Sequence, residues 1–497
     1  MNNWTLKTIV VLALWLPCCL LSAQQIATEK ALADIDELTS ILTEKSSYVH
    51  LTDFGWKSAL QQAKRILAKQ DSVPMEHLLF MLHDVISRIG DRHAKVEWEE
   101  QPEPEKVLFL PFALAPYEEK AIALQKHRGA PFTVLFPNYP YLKAINAQPI
   151  RSFVAPFNMR GRSAPTEAKR LRAINRLRYL GDMLEFYQFG DATAASFTFT
   201  DGQKDTTTII PLSQRRGSWD DIGDIRDRYK RDYKAKNYAA LMHTLEGEIA
   251  YLALPKMFNA EDHPLYFELL KNKMEAYRNT KAMIIDIRGN SGGSRMPIWM
   301  LASYICAPDQ TPQVVNMAYI RETNPDSLDL HALNKRYLYP YDSPNFNAED
   351  RKAIDAFLQT FKTAYTFDKS LFSEAHYTVF SHRNGKDHYH YDKPVYLLMN
   401  EQCFSAAGVL AATFKGLPNV KLVGVNTDGS SGLSNYFRLK NSGLIVKLST
   451  MISFQPDGRP LDGFGTAPDI ELPRTMEQVL GEKDSQLEAV LQMIKQQ

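Results

Sequence analysis

Almost no net charge remains on this chain: 58 Lys and Arg stand against 57 Asp and Glu, a formal balance of +1. That excludes a general electrostatic pull toward nucleic acid or an anionic membrane surface. Cysteine is scarce as well, with four in 497 residues, two of them Cys18 and Cys19. A disulfide framework is therefore excluded, and Cys306 and Cys403 could form one bridge at most. No internal repeat and no low-complexity tract is found. The one conspicuous apolar run near the amino terminus, residues 9–16, follows Lys7 and precedes Ser22-Ala23. It reads as a secretory signal peptide over residues 1–23, too short to be a permanent membrane span. Leu16-Pro17-Cys18 ahead of Cys19 is a poor lipidation signal, so a periplasmic or extracellular protein without a lipid anchor is expected. Metal-binding patterns are also missing. His382, His388 and His390 include an H-x-H pair, but no acid or cysteine arrangement supports it, and no metal or organic cofactor is expected.

What is present is a globular composition, 44% hydrophobic, on a chain long enough for two to four domains. Residues 24–100 read as a helical region. Its first helical stretch covers 27–68, and a second, 75–89, stops at Gly90 as at a C′ glycine. Asp91-Arg92-His93 follows, at a helix-to-strand corner ahead of the alternating residues 95–98. A histidine at such a corner is ordinarily structural. Residues 105–212 are rich in short strands, with apolar runs at 107–110, 121–124, 132–135 and 196–200. A helical insertion lies at 155–190; its basic face (Lys169, Arg170, Arg172, Arg176, Arg178) reads as solvated surface. Within this region Ile145-Asn146-Ala147-Gln148-Pro149 resembles a hairpin of PDZ modules, without their Gly-rich carboxylate-binding loop. Residues 213–245 are a charged linker. Residues 246–475 alternate strand and helix, which predicts a largely parallel sheet. They carry an insertion at 308–392, and 476–497 is expected to be a terminal helix.

Two strand ends in the last large region carry chemistry. The apolar strand at 395–399 is followed by a polar turn, then Ser405 and an Ala-rich helix. Such βα units present the intervening residue at the carboxyl edge of the sheet. The simplest role for Ser405 is an N-cap, its Oγ accepting from a free helix N–H. A second strand, 282–287, ends in Arg288-Gly289-Asn290-Ser291-Gly292-Gly293. Glycines there let backbone N–H groups converge on an anion. The loop has neither the Lys-Ser/Thr ending of a phosphate loop nor a dinucleotide spacing. An oxyanion hole beside a serine nucleophile is the better fit, built from Gly292, Gly293 and Ala406.

At this level the residues resemble a family. Asp286-Ile287-Arg288-Gly289-Asn290-Ser291-Gly292-Gly293 resembles the D-x-R-x-N-x-G-G loop of tail-specific, or C-terminal-processing, serine peptidases and their tricorn-core relatives. Ser405-Ala406-Ala407 is similar to their nucleophile turn. Gly424-Val425-Asn426-Thr427-Asp428-Gly429 resembles their G-x-x-T-x-G strand end, and Asp462-Gly463-Phe464-Gly465-Thr466-Ala467-Pro468-Asp469 their E-G-x-G-x-x-P-D segment. Gly90-Asp91-Arg92-His93 is similar to a G-D-x-H corner of the tricorn-like branch. The place of the lysine base used in the processing branch holds Ser430-Ser431, so the resemblance implies Ser405 as nucleophile, His93 as general base and Asp462 as orienting acid. Arg92 and Ser430 would stand behind these groups. Gly408 replaces the usual acid of S-A-x-E, and Asp462 is one methylene shorter than the usual Glu. The resemblance further implies an α/β fold with a crotonase-like (ClpP/crotonase-type) core, a helical amino-terminal segment and a degenerate PDZ-like domain. The expected activity is that of a serine endopeptidase acting on polypeptides through an acyl-enzyme. The competing expectation is a catalytically inactive protein on the same fold, binding a peptide or hydrophobic ligand. A third reading makes Cys403 the nucleophile.

Overall fold

The computed structural model describes residues 24–51, 54–99, 108–126, 131–154, 164–187, 189, 193–214, 237–381 and 388–496. The expected signal peptide, Cys18, Cys19, most of the charged linker and His382 lie outside them.

The carboxyl-terminal half is built on a six-stranded sheet whose strands lie in sequence order: β1 (Met242–Leu245), β2 (Ile249–Ala253), β3 (Ala282–Asp286), β4 (Val395–Met399), β5 (Val420–Gly424) and β6 (Ile470–Glu471). Only β1 runs antiparallel to its neighbour; β2 to β6 are parallel. Every residue of β2, β3 and β4 is buried. A parallel sheet covered on both faces needs such continuous apolar strands rather than alternating ones. Helices α1 (Pro264–Tyr277), α2 (Met296–Ile305) and α3 (Ala406–Phe414) contribute Tyr266, Leu270, Leu301, Tyr304, Leu410 and Phe414 to this core. With β3 and β4 parallel and paired, their carboxyl ends open at one edge. Phe404 N–H donates to the Asn290 carbonyl at 2.9 Å, so the glycine loop and the serine turn are tied directly.

The segment expected as an insertion shares strands with the core. Gln313–Ile320 pairs with His376–Phe380 on one side and with Met451–Phe454 on the other, inside a four-stranded sheet. A third sheet brings the two ends of the chain together. The strand Lys95–Glu97 pairs with Ile445–Ser449, which also pairs with Ser434–Arg438. The amino-terminal helices pack on the same residues, with Ile35, Leu38, Leu82, Val85, Leu444 and Val446 in one cluster.

The single helical stretch expected over 27–68 is two helices, Thr28–Lys45 and Trp56–Leu67. Ser46 causes the break: its Oγ accepts from the N–H groups of Tyr48 and Val49 at 3.2 Å each, a local turn that competes with helix continuation. The helix Met75–Ser87 and the left-handed Gly90 (φ 79°) follow the expectation. Among the strands, 107–110 is not borne out: Phe109 makes only an isolated bridge to Ser213, and Val107 lies outside the described residues. The other strand runs of this region form a seven-stranded sheet with the hairpin at 141–149, where Asn146 (φ 48°) and Ala147 (φ 60°) make the turn. The terminal helix is also two, Met476–Leu480 and Ser485–Lys495, the second capped by Asp484 accepting from Leu487 N–H at 3.1 Å. Cys306 and Cys403 are both free thiols, so the one available bridge is not formed. No helix among the described residues is long and apolar enough to cross a membrane.

The amino-terminal helices are docked by one buried carboxylate. Asp34 accepts from Asn441 N–H (3.0 Å), Asn441 Nδ2 (2.8 Å) and Ser442 N–H (2.7 Å). Replacing Asp34 with Ala strands three donors, and a loss of about 2 kcal/mol is expected as a lower urea midpoint. Asp36→Ala, which removes only an exposed pair with Lys64, should stay within about 0.5 kcal/mol of the parent.

Candidate active site

Ser405 is the N-cap residue of α3, but its side chain does not cap. Its backbone lies at φ 54°, ψ −123°, and no helix N–H donates to its Oγ. The N-cap expectation is thus right about place and wrong about function. A non-glycine residue in that region costs on the order of 1–3 kcal/mol and persists only when its surroundings over-determine it. Those surroundings are specific. Ser405 N–H donates to Ser430 Oγ at 3.0 Å, the Ser405 carbonyl accepts from Val409 N–H at 3.1 Å, and the Cys403 carbonyl accepts from Asp428 N–H at 3.1 Å. Gly292 presses on the turn from the other side. A β-carbon there would lie 2.6 Å from the Phe404 carbonyl oxygen and 2.8 Å from Ser405 Cβ, so only glycine fits. The Gly292 N–H, however, donates to Asn290 Oδ1 at 2.8 Å. Gly292 therefore does not serve the oxyanion role expected of it; it makes room. The N–H groups of Gly293 and Ala406 remain the candidate pair, Ala406 at the first turn of α3, where helix donors lack internal acceptors.

His93 reaches this edge from the front of the chain. Its ring centroid is 4.6 Å from that of Phe404, the residue preceding Ser405, and its exposure is 7%. The corner carrying it is pinned by Asp91, which accepts from His93 N–H (2.8 Å), Ser449 N–H (2.6 Å) and Ser449 Oγ (2.9 Å). Burial, then the nearby Asp462 charge, push the Asp91 carboxyl up from its ordinary value. Asp462 Oδ1 lies 3.8 Å from His93 Nδ1, an ion-pair distance and not a hydrogen bond. Nδ1 has no hydrogen-bond partner among the described residues. The short Asp462 is itself firmly held, by Tyr48 Oη (2.8 Å), Ser431 N–H (2.9 Å) and Arg92 N–H (3.3 Å). Burial and the two neighbouring carboxylates, Asp462 ahead of Asp91, raise the Tyr48 hydroxyl well above its usual range, so it acts as a donor.

Arg92 is fully buried and donates from Nη2 to Asp428 Oδ2 at 3.0 Å. Asp428 also takes Arg172, from the helix Thr166–Arg176 of the strand-rich region, and the Arg172 guanidinium sits 5.3 Å over the Phe404 ring. That corrects the reading of the basic helix face as solvated surface. At Arg172 it is turned onto the serine loop, and Arg170 meets Glu119. A cavity of about 550 Å³ opens beside Ser405 and Ala406 and is walled by Arg295 and by Lys335 and Arg336 from the 308–392 segment.

The alternatives are less well supplied. Cys403 is fully buried, its Sγ donating to the Ile287 carbonyl at 3.1 Å, and burial pushes its thiol up from the ordinary value. His388 stacks on Tyr304 at 4.1 Å and contacts Ser303 Oγ at 2.7 Å. The only cluster of three metal-capable side chains among the described residues is Asp91, His93 and Asp462, within 4.8 Å of one another. Hydrogen bonds already occupy both Asp462 oxygens and both Asp91 oxygens, the use expected of positioning groups. The sequence alone points to no role for Tyr48, Asp91 or Asp428. Asp91 and Asp428 lie inside recognisable motifs, whereas nothing around Tyr48 marks it.

Burial pushes the Cys306 thiol up to about 12 as well. Neither Cys306 nor Cys403 should be alkylated by iodoacetamide at pH 8 in the native protein, and both should be in urea, read by peptide mass mapping.

Residues 248–472 match the profile described as Peptidase family S41. An uncharacterized protein of Chlamydia muridarum is 27% identical over 216 residues, covering 39% of this chain and 35% of that protein. A protein of Chlamydia trachomatis is 25% identical over 239 residues, 44% of this chain and 38% of the other. These matches thus span little more than a third of each relative's length. Among solved structures, mature CPAF superposes with a TM-score of 0.62 at 16% identity, covering 94% of this chain and 98% of that one, and shows a shared fold. The similarity to peptidase family S41 thus lies in the segment 248–472, which holds the glycine loop, Ser405 and Asp462.

Proposed function

We propose that the protein is a serine endopeptidase acting on polypeptides, with Ser405 as nucleophile, His93 as general base and Asp462 as the acid that orients the imidazole. The observation that carries this reading is Ser405 itself. It is a strained serine at a helix start, its hydroxyl unused by the cap, its turn pressed by a glycine that no other residue could replace. In the proposed sequence Ser405 Oγ attacks the scissile carbonyl as its proton passes to the imidazole. With Nδ1 facing Asp462, Nε2 is the nitrogen available for that proton. The oxyanion would take the N–H groups of Gly293 and Ala406, a donor of this kind being worth roughly 3 kcal/mol in the transition state. The imidazolium then protonates the leaving amine, and water repeats the sequence on the acyl-enzyme. The positive end of α3 favours the same charge.

The 3.8 Å gap is the feature that favours the rival reading of an inactive binding protein. Catalytic hydrogen bonds often tighten only in the substrate complex, and Asp462 is held by three donors facing His93, which supports an active site awaiting closure. In this reading the core is crotonase-like, the strand-rich region a degenerate PDZ-like module, the base that of the tricorn-like branch, and the first 23 residues direct export. Mature CPAF, which shares the fold, forms a complex with lactacystin, which suggests the same reagent as a probe here.

A serine-directed fluorophosphonate should label the protein, and Ser405→Ala should abolish labelling; equal labelling of both removes Ser405 from the mechanism. His93→Ala should lower kcat by about 10⁴-fold or more. Tyr48→Phe, which takes away one of the donors to Asp462, should lower kcat by about tenfold with KM little changed.

A further inference from the structure

Among the described residues three arginines are almost wholly buried, and two of them are paired with buried acids. Arg288 meets Asp286 and Asp484, and Arg92 meets Asp428. Arg295 is the third, 6% exposed, and it lines the cavity beside Ser405. Its Nη1 donates to Asn316 Oδ1 and to the Arg336 carbonyl, each at 3.1 Å. The half-buried Arg336 donates to the carbonyls of Ala332 (2.9 Å) and Gly432 (3.4 Å) and lines the same cavity. Every hydrogen-bond partner of these two guanidiniums among the described residues is a neutral oxygen. Burial and the charge of Arg336 together lower the Arg295 pKa to about 9, and burial lowers Arg336 in turn, with Asp329 only partly opposing it. Two cations held together without an anion are costly, and a carboxylate arriving between them would offset that cost with charge-assisted hydrogen bonds. The exposed Lys335 and His331 line the same cavity, and the exposed Glu261 is the single acid among its described lining residues.

We propose that this cavity is a specificity pocket for an acidic side chain of the peptide substrate, with Arg295 and Arg336 receiving its carboxylate. The assignment rests on reading Ser405 as the nucleophile, because the pocket begins at that residue and at Ala406. Because Ser405, Arg295 and Arg336 line one cavity, a peptide whose carbonyl sits on Ser405 would place a neighbouring side chain in reach of the two guanidiniums. Glutamate or aspartate flanking the scissile bond is then preferred over glutamine, and lysine is rejected by like charge.

Binding to the full-length Ser405→Ala protein tests this without turnover. Fluorescein-labelled, C-terminally amidated alanine-based decapeptides carrying one central Glu, Gln or Lys would be compared by polarisation. The Glu peptide is expected to bind about tenfold more tightly than the Gln peptide, and Lys more weakly than both. Adding Arg336→Gln, with thermal unfolding checked against the parent, should collapse the Glu preference to within about twofold. Equal binding of Glu and Gln peptides, or binding of neither, overturns the proposal. So does a Gln peptide with a free C-terminus that matches the Glu peptide, since a chain end would then be the ligand. Failure of fluorophosphonate labelling in the wild type would remove the peptidase reading alone, while the Glu-to-Gln ratio still decides the pocket.

Discussion

One carboxylate holds together the two halves of the site. Asp91 takes the backbone N–H of His93 with one oxygen and the backbone of Ser449 with the other, and it is buried while doing so. The strand that follows His93 then pairs with the strand that ends at Ser449. Without that clamp the imidazole belongs to a helical segment at the front of the chain, more than three hundred residues from the serine. With it, the same cluster of apolar side chains covers both the amino-terminal helices and the 439–448 hairpin. The site therefore forms only when the whole molecule has folded.

Buried polar groups do most of the positioning around it. Asp462, Asp428 and Asp91 are all buried, and each accepts from two or more donors, so desolvation is offset by hydrogen bonding, except at Asp428 Oδ1, which has no partner among the described residues. Arg172 adds a consequence for the strand-rich region. It crosses from a helix of that region to Asp428 and to the face of Phe404. A displacement of the region would act on the residue beside Ser405 through packed groups, which is the physical form that coupling between domains takes.

Much of this was legible before any coordinates. The buried parallel strands announce themselves as apolar runs, and the two strand ends bearing Gly292 and Ser405 follow from the βα pattern. The motifs running from Gly90 to Asp469 place His93, Ser405 and Asp462 in one family order. What the chain concealed depends on distance and on backbone angle. Tyr48 is a plain loop tyrosine until Asp462 arrives from 414 residues away. Arg295 and Arg336 look like ordinary surface arginines until the 308–392 segment folds its strands into the core. The left-handed turn at Ser405 cannot be inferred from an N-cap consensus, because the consensus describes the place and not the torsion angles. The basic helix failed in the same way: helical spacing locates Arg172 on a face but not the partner that face meets.

The central claim is spatial: His93 and the N–H groups of Gly293 and Ala406 surround one reacting atom on Ser405. The most direct measurement is a crystal structure of the protein after reaction with diisopropyl fluorophosphate. The account predicts phosphorus bonded to Ser405 Oγ, a phosphoryl oxygen within hydrogen-bond distance of the Gly293 and Ala406 N–H groups, and His93 Nε2 beside the adduct. An adduct on another residue, or one on Ser405 with the imidazole turned away and its oxygen in solvent, would contradict it.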